Sequence, residues 1–426
     1  MFFYVYLVHM NIKRTVLKNG LRIVTVPMKD SPTVTVQVLV AAGARYETEK
    51  NNGISHFLEH MCFKGTTRRT ALEIAYELEA MGALSNAFTN YDMTGYYAKG
   101  RAALFLKLLD IVADVYLNSL FPESEIEKEK GVVCGEIDMI NDNPQHKVGY
   151  TFLKSLYGDQ PAGRSIAGPK ENIKRFTRKD FINYHKQHYH AEKTVVVVTG
   201  DIDQKKTIDM VKKAFATIPT KKISVKKKIV SKKDIPIIVE TRKTDQTHIV
   251  LGMQSIPFHH PDRRAFSVLN GILGQGMSSR LFFKLREEMG AGYYVYSDFS
   301  SSDDTGEFAI ATGTEPARVA EVLSAIKGEL KKLCDTPVSG DELAKTKEYM
   351  IGKLYMGMEL SDDIANLVGM YEIFNQPQKT VKDLEKEIRA ITVSDVSRVA
   401  KKYFKLDQLH LAVIGPHTES EIKKVI

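Results

Sequence analysis

The sequence predicts an α+β protein of two homologous halves, each a mostly antiparallel sheet with helices packed on one face, together forming a clam-like cleft. Three observations predict it. The chain repeats itself: "FTRKDFINYHKQHYHAEKTVVVVTGD" from Phe176 is answered by "ITVSDVSRVAKKYFKLDQLHLAVIGP" from Ile391. Thr177, Asp180 and Gly200 match Thr392, Asp395 and Gly415 at a single offset of 215. Each half opens on apolar runs of period two, as half-buried strands do. Strands and helices then come in separate runs rather than in strict alternation, which favours α+β over doubly wound folds.

Taken in order, the first half runs over 10–218. "LRIVTV" (21–26) and "TVTVQVLV" (33–40) predict strands, and "NNGIS" (51–55) is a turn that opens a helix. "TGYYA" (94–98) predicts another strand, followed by a long helix, Pro122 and a second helix in "FPESEIEKEKGVVCGEIDMIND" (121–142). From Thr177 the pattern is a capped helix ending in aromatics, a polar turn and an apolar strand closed by Gly200. Residues 219–235 predict a lysine-rich linker. The second half, 236–426, restarts with "IPIIVE" and "THIVLGM", repeats "TGYYA" as "TGEFA" (305–309), and places Pro337 as the first half places Pro122.

Composition narrows the class. With 43% apolar and 26% charged residues, 28 Gly and 14 Pro, the chain reads as an ordinary globular protein, neither disordered nor fibrous. The net charge of +8 is local: "KKISVKKKIVSKK" (221–233) holds seven lysines and no acid. No CxxC pair, aromatic RNA-binding run or basic heptad accompanies it, so no nucleic-acid partner is expected. Cys62, Cys134 and Cys334 are too few for a disulfide framework and fit a reducing compartment; the default reading of Cys62 and Cys134 is as small buried hydrophobes. The start, "MFFYVYLVHMNIKR", lacks a cationic leader and a cleavage site, and no run is long enough for a membrane span. The expectation is a natural start at Met10 and a cytoplasmic, bacterial protein.

The chemistry sits in "HFLEH" (56–60). On a helix, positions i, i+3 and i+4 share a face, so His56, Glu59 and His60 point one way. Two imidazoles on adjacent turns can hold one Zn²⁺, and the glutamate between them can reach a metal-bound water. This is the inverted zinc-protease pattern H-x-x-E-H. A catalytic zinc needs a third protein ligand. Glu129 and Glu136 lie seven apart on one face of the 121–142 helix, beside Val132 and Val133, and spacing leaves open which of them binds metal.

HFLEH, followed 76 positions later by Glu136, resembles the pitrilysin-type metallopeptidases, which include mitochondrial processing peptidases, insulin-degrading enzymes and bacterial relatives. The resemblance covers nearly the whole chain beyond its first nine or ten residues. It implies that His56, His60 and Glu136 bind one Zn²⁺ per chain, that Glu59 is the general base, and that Glu129 is an acid hydrogen-bonded beside the site. It also implies a second half that has lost its metal residues, and "NGILGQGMSSR" stands in the comparable region. "GALSNAFTNYDMTGYY" resembles the family's substrate-pairing edge strand, which implies substrate binding by Asn86, Ala87 and Phe88. "GQGMSSRLFFKLREE" resembles its glycine-rich segment. Arg286 and Tyr293 match an Arg–Tyr pair that serves the active site, the tyrosine at an oxyanion and the arginine on substrate backbone.

The implied activity is a zinc endopeptidase acting on peptides or unfolded, presequence-like segments. The implied assembly is a homodimer, or a heterodimer with a related chain. The competing reading is a non-catalytic, peptide-binding or structural partner subunit. Such relatives have lost part of HxxEH or the distant glutamate, and this chain keeps both. Other clusters weigh less. "HKQHYH" (185–190) is replaced by "KKYFKL" in the second half, so its slot needs no metal; "HHPD" (259–262) reads as a loop or helix start. Gly271, Gly274 and Gly276 follow a helical run and precede no Lys-Ser/Thr, unlike a phosphate loop.

Overall fold

The computed structural model describes residues 10–29, 31–221, 228–230 and 237–425. The proposed extension 1–9 and most of the proposed linker 219–235 lie outside them. Among the described residues eleven strands run in order: β1 Lys13–Val16, β2 Arg22–Pro27, β3 Thr33–Val40, β4 Leu84–Thr89, β5 Thr94–Arg101, β6 Thr194–Gly200, β7 Ile237–Thr241, β8 Thr247–Ser255, β9 Tyr294–Ser301, β10 Gly306–Thr314 and β11 His410–Gly415. The helices that matter below are α1 Ile54–Cys62, α2 Phe105–Leu117, α3 Glu123–Asp142, α4 Pro144–Tyr157, α5 Arg178–His188, α6 Arg263–Gly274, α7 Ser361–Ile373 and α8 Val393–Tyr403.

The sheets are copies of one plan. The first has the order β1-β2-β6-β3-β5-β4, the second β7-β11-β8-β10-β9. In each, one pair is parallel (β2 with β6, β7 with β11) and the others are antiparallel. The residues that revealed the repeat do the same work twice. Thr177 and Asp180 close a capping box at the start of α5, and Thr392 and Asp395 close another at the start of α8.

The compact units do not coincide with the chain halves 10–218 and 236–426. One unit gathers the described residues of Met1–Ile137, Ser165–Lys227 and Leu354–Leu384; the other gathers Asp138–Arg164, Lys228–Lys353 and Glu385–Ile426. Each sheet has a second face to cover, and a helix from the other half covers it. In the first unit, Val34 and its partner Gly100 face α2, where Leu108 packs. The alternate positions of β3 (Thr35, Gln37 and Leu39) face α7. There Gly369 lets the helix lie on the strands, since a Cβ would meet Leu39 Cδ1 at 2.5 Å. The interface is partly polar: Thr35 Oγ1 lies 2.8 Å from Ser361 Oγ, and Gln37 Nε2 donates to Asn366 Oδ1 at 2.6 Å. In the second unit, Val148, Phe152 and Leu156 of α4 pack on Val250, Ala412 and Ile414, while Phe266 of α6 stacks on Phe299 from the opposite side. The α+β class therefore holds in each unit, with helices on both faces of each sheet.

Candidate metal centre

Helix α1 starts on a buried acid. Gly53 precedes it at φ +98°, where a Cβ would meet the Ala167 carbonyl oxygen at 2.6 Å, so glycine is required. Glu47, 4% exposed, accepts from the backbone N–H of Gly53 and of Ser55 at 2.8 Å each, and from Asn52 Nδ2 at 2.9 Å. Its carboxylate thus satisfies donors that a helix start leaves open. Ile54, Phe57, Leu58, Met61 and Cys62 are buried, which turns His56, Glu59 and His60 to the opposite, half-buried face.

On that face three ligand atoms converge. His56 Nε2 and His60 Nε2 lie 3.4 Å apart, and each is 3.6 Å from Glu136 Oε2. Ligands held about 2.0–2.2 Å from one tetrahedral zinc sit roughly 3.3–3.6 Å from each other, so this triangle fits that ion. Among the described residues it is the one group of three or more His, Cys, Asp or Glu with such spacing. Burial, and then the neighbouring His60, hold the His56 imidazole down at about 4, so it is neutral at pH 7 with a lone pair to give. His56 Nδ1 has no hydrogen-bond partner among the described residues.

The fold separates the two glutamates that spacing left equivalent. Glu136 faces both imidazoles, whereas Glu129 lies behind one of them, its Oε1 2.9 Å from His60 Nδ1. Burial would raise the Glu129 carboxyl, but hydrogen bonds with Lys64 and His60 outweigh it and hold the group below its ordinary value. Glu59 is pushed up, by burial first and by Glu136; Thr89 and His60 oppose the shift. Its Oε2 accepts the Thr89 hydroxyl at 2.6 Å.

Thr89 ends β4, the strand of Asn86, Ala87 and Phe88. These pair with Tyr97, Tyr96 and Gly95 of β5, and β4 is the last strand of its sheet, with one edge open. The Ala87 N–H donates to Asn86 Oδ1 at 2.8 Å instead of joining the ladder. Arg286 and Tyr293 belong to the second unit. Arg286 lies in a π-helical turn, Phe283–Glu288, and its Nη1 donates to the Gly292 carbonyl at 2.9 Å, bracing the turn before Tyr293. The Tyr293 N–H donates to Gly313 O at 2.9 Å, and its side chain stands half-exposed before β9.

The other histidine cluster, 185–190, forms no metal-ligand group among the described residues. His185 Nε2 bonds the Tyr116 carbonyl at 3.0 Å, and His188 Nδ1 lies 3.0 Å from Lys193 Nζ. Cys62 is buried, while Cys134 and Cys334 are half-buried, and all three are free thiols. Three residues that serve the centre do not stand out in the sequence: Glu47, Lys64 and Thr89. Glu47 lies six residues before Gly53, Lys64 lies one helical turn beyond His60, and Thr89 directly follows the edge-strand residues. Only the position of Thr89, beside the edge-strand residues, carries a readable signal.

Two family models match the chain, one described as Insulinase (Peptidase family M16) over residues 22–170 and one as Peptidase M16 inactive domain over 175–350. A protein named "Uncharacterized zinc protease YmxG" from Bacillus subtilis (strain 168) is 35% identical over 410 residues, covering 95% of this chain and 98% of its own. The mitochondrial-processing peptidase subunit beta of Bos taurus is 32% identical over 414 residues, covering 94% and 84%. The crystal structure of a protease from Helicobacter pylori superposes with a TM-score of 0.89 at 26% identity, covering 96% of this chain and all of that one. With similarity of this extent along nearly its whole length, the chain belongs to peptidase family M16, the pitrilysin-type zinc metallopeptidases.

Proposed function

We propose that this protein is a zinc-dependent endopeptidase that hydrolyses extended peptides or unfolded, presequence-like segments. The observation that carries the proposal is the His56–His60–Glu136 triangle with Glu59 on the same helix face. His56, His60 and Glu136 would hold one zinc, which when bound supplies the Lewis acidity that acidifies a water and polarises a carbonyl. Glu59, oriented by the Thr89 hydroxyl on its Oε2, would take the proton from the attacking water and pass it to the leaving amine. The burial that raises the Glu59 carboxyl makes it a stronger base than an exposed glutamate.

Substrate would add as a strand to the open edge of β4 at Asn86, Ala87 and Phe88, and would compete with Asn86 for the Ala87 N–H. Recognition of this kind reads backbone more than sequence. Tyr293 would donate to the developing oxyanion and Arg286 would hold substrate backbone, the roles the family resemblance gives them. The active form would be a homodimer, or a heterodimer with a related chain.

The test is cleavage of a mixed, unstructured peptide library by zinc-loaded wild type and by Glu59→Gln, with bound zinc measured in both. We expect cleavage by the first, a loss of at least about a thousandfold in the second, and equal zinc in the two. Zinc-loaded wild type that cuts nothing would replace this reading with that of a non-catalytic, peptide-binding partner subunit.

A further inference from the structure

The turn that follows α1 is pinned on both sides. The Lys64 N–H donates to Met61 O at 3.2 Å, the Leu120 N–H donates to Gly65 O at 3.1 Å, and Thr66 is bridged to Ser119. Thr66 Oγ1 and Arg69 Nη1 both donate to Asp114 Oδ2 at 2.8 Å, and Asp114 is 1% exposed. Lys64 therefore leaves a fixed backbone, one helical turn beyond His60. Its Nζ sits 2.6 Å from Glu129 Oε2, while the other oxygen of the same carboxylate lies 2.9 Å from His60 Nδ1. The side chains of Lys64, Glu129 and His60 are 29%, 7% and 17% exposed. Among the described residues, Glu129 makes ion pairs with His60 and Lys64 alone.

We propose that Lys64 is a positioning residue of the metal centre: by occupying one oxygen of Glu129 it holds the other on His60 Nδ1, which fixes the imidazole ring and turns Nε2 toward the metal. The proposal rests on the zinc reading above. A carboxylate held at one oxygen only can swing about its terminal torsion, which is broad and soft. Held at both, it presents a single acceptor in a single place. The Nδ1 bond then decides the tautomer, with the proton on Nδ1 and the lone pair on Nε2. Lys64 touches neither the metal position nor any reacting atom, so its effect must appear in metal affinity before it appears in turnover.

The experiment uses the full chain stripped of metal, with Zn²⁺ alone titrated against a chromophoric chelator. Wild type is compared with Lys64→Met, Lys64→Arg, Lys128→Met and His60→Ala, and the melting of each metal-free protein is recorded. Changes behind a metal ligand typically weaken affinity about 10- to 100-fold. Lys64→Met should fall near the lower end, about tenfold, with metal-free melting unchanged. Lys64→Arg should return to within about twofold of wild type, because it restores the charge and the donor. Lys128, on the exposed side of α3 and paired with Glu125, should give wild-type affinity.

If His60→Ala loses zinc but Lys64→Met binds as wild type does, Lys64 positions nothing. The positioning role is equally overturned if Lys64→Met lowers metal-free melting and arginine fails to restore affinity, since the lysine is then merely structural. If His60→Ala also binds zinc as wild type does, the zinc site itself is misassigned and the proposal falls with it.

Discussion

Glu372→Ala tests whether the unit that carries the candidate metal centre depends on a helix encoded far along the chain. Glu372, 1% exposed, lies near the end of α7, on the sheet that also carries β4. Its Oε1 and Oε2 accept from Arg14 Nε at 2.8 and 2.9 Å, and Oε1 lies 3.7 Å from Arg22 Nη1. Breaking a buried ion pair by removing one partner costs about 3–5 kcal/mol, because a charge stays buried without its counter-charge. Two features place this case at the low end. Arg14 is half-exposed and can turn to water, and Arg22 keeps the Glu372 backbone carbonyl at 2.7 Å and Asn375 Oδ1 at 3.0 Å. The expected loss is about 3 kcal/mol, read as a lowered denaturant midpoint at unchanged slope. Glu372→Gln should lose less, because an amide oxygen can still accept from Arg14. The control is Lys331→Ala, from an exposed pair with Asp335, which should leave the transition in place. A Glu372→Ala transition within about 0.5 kcal/mol of wild type would refute the view that this ion cluster fastens α7 to the first sheet.

Thr89→Val removes the hydroxyl held at 2.6 Å on Glu59 while keeping the shape of the side chain. A hydrogen bond to a charged group contributes about 1.5–3 kcal/mol, so kcat/KM should fall roughly 10- to 100-fold with zinc content unchanged. An unaltered rate would remove Thr89 from the mechanism. His185 and His188 are held down at about 4 and about 3, in both cases by burial first, so they stay neutral in the folded protein and take up protons near pH 6.5 when unfolded. The unfolded chain binds more protons between those values, so stability is full above about pH 6.5 and is lost as pH falls toward 4 and then 3. His185→Gln should flatten the upper part of that loss, by on the order of 3 kcal/mol for a shift from 6.5 to about 4, in unfolding curves recorded from pH 7 to 4.

Much of this protein is legible in the sequence because the signals are periodic and local. The 215-residue offset needs only two copies of one string, and the structure returns it as two sheets that share one order over five strands, with β1 added at the edge of the first. HFLEH places three side chains on one helix face by geometry that holds for any helix. The choice between Glu129 and Glu136 had no local answer. Both lie on one face of α3, and a shift of two turns along it decides whether a carboxylate meets two Nε2 atoms or the back of one ring. Glu47 and Lys64 are silent in the sequence for a related reason. A buried acid at a helix start and a lysine one turn past a histidine are common in any sequence, and only packing shows what they touch.

The tertiary structure alone also decided which helix covers which sheet. Strand β3 alternates Val with Thr and Gln, which reads as one buried face and one wet face, yet both are covered. Its polar face is dry because α7 brings Ser361 and Asn366 to meet Thr35 and Gln37. The alternation of a strand reports the chemistry of each face and not what lies on it. A polar side chain satisfied by a partner more than 300 positions away looks, in sequence, the same as one satisfied by water.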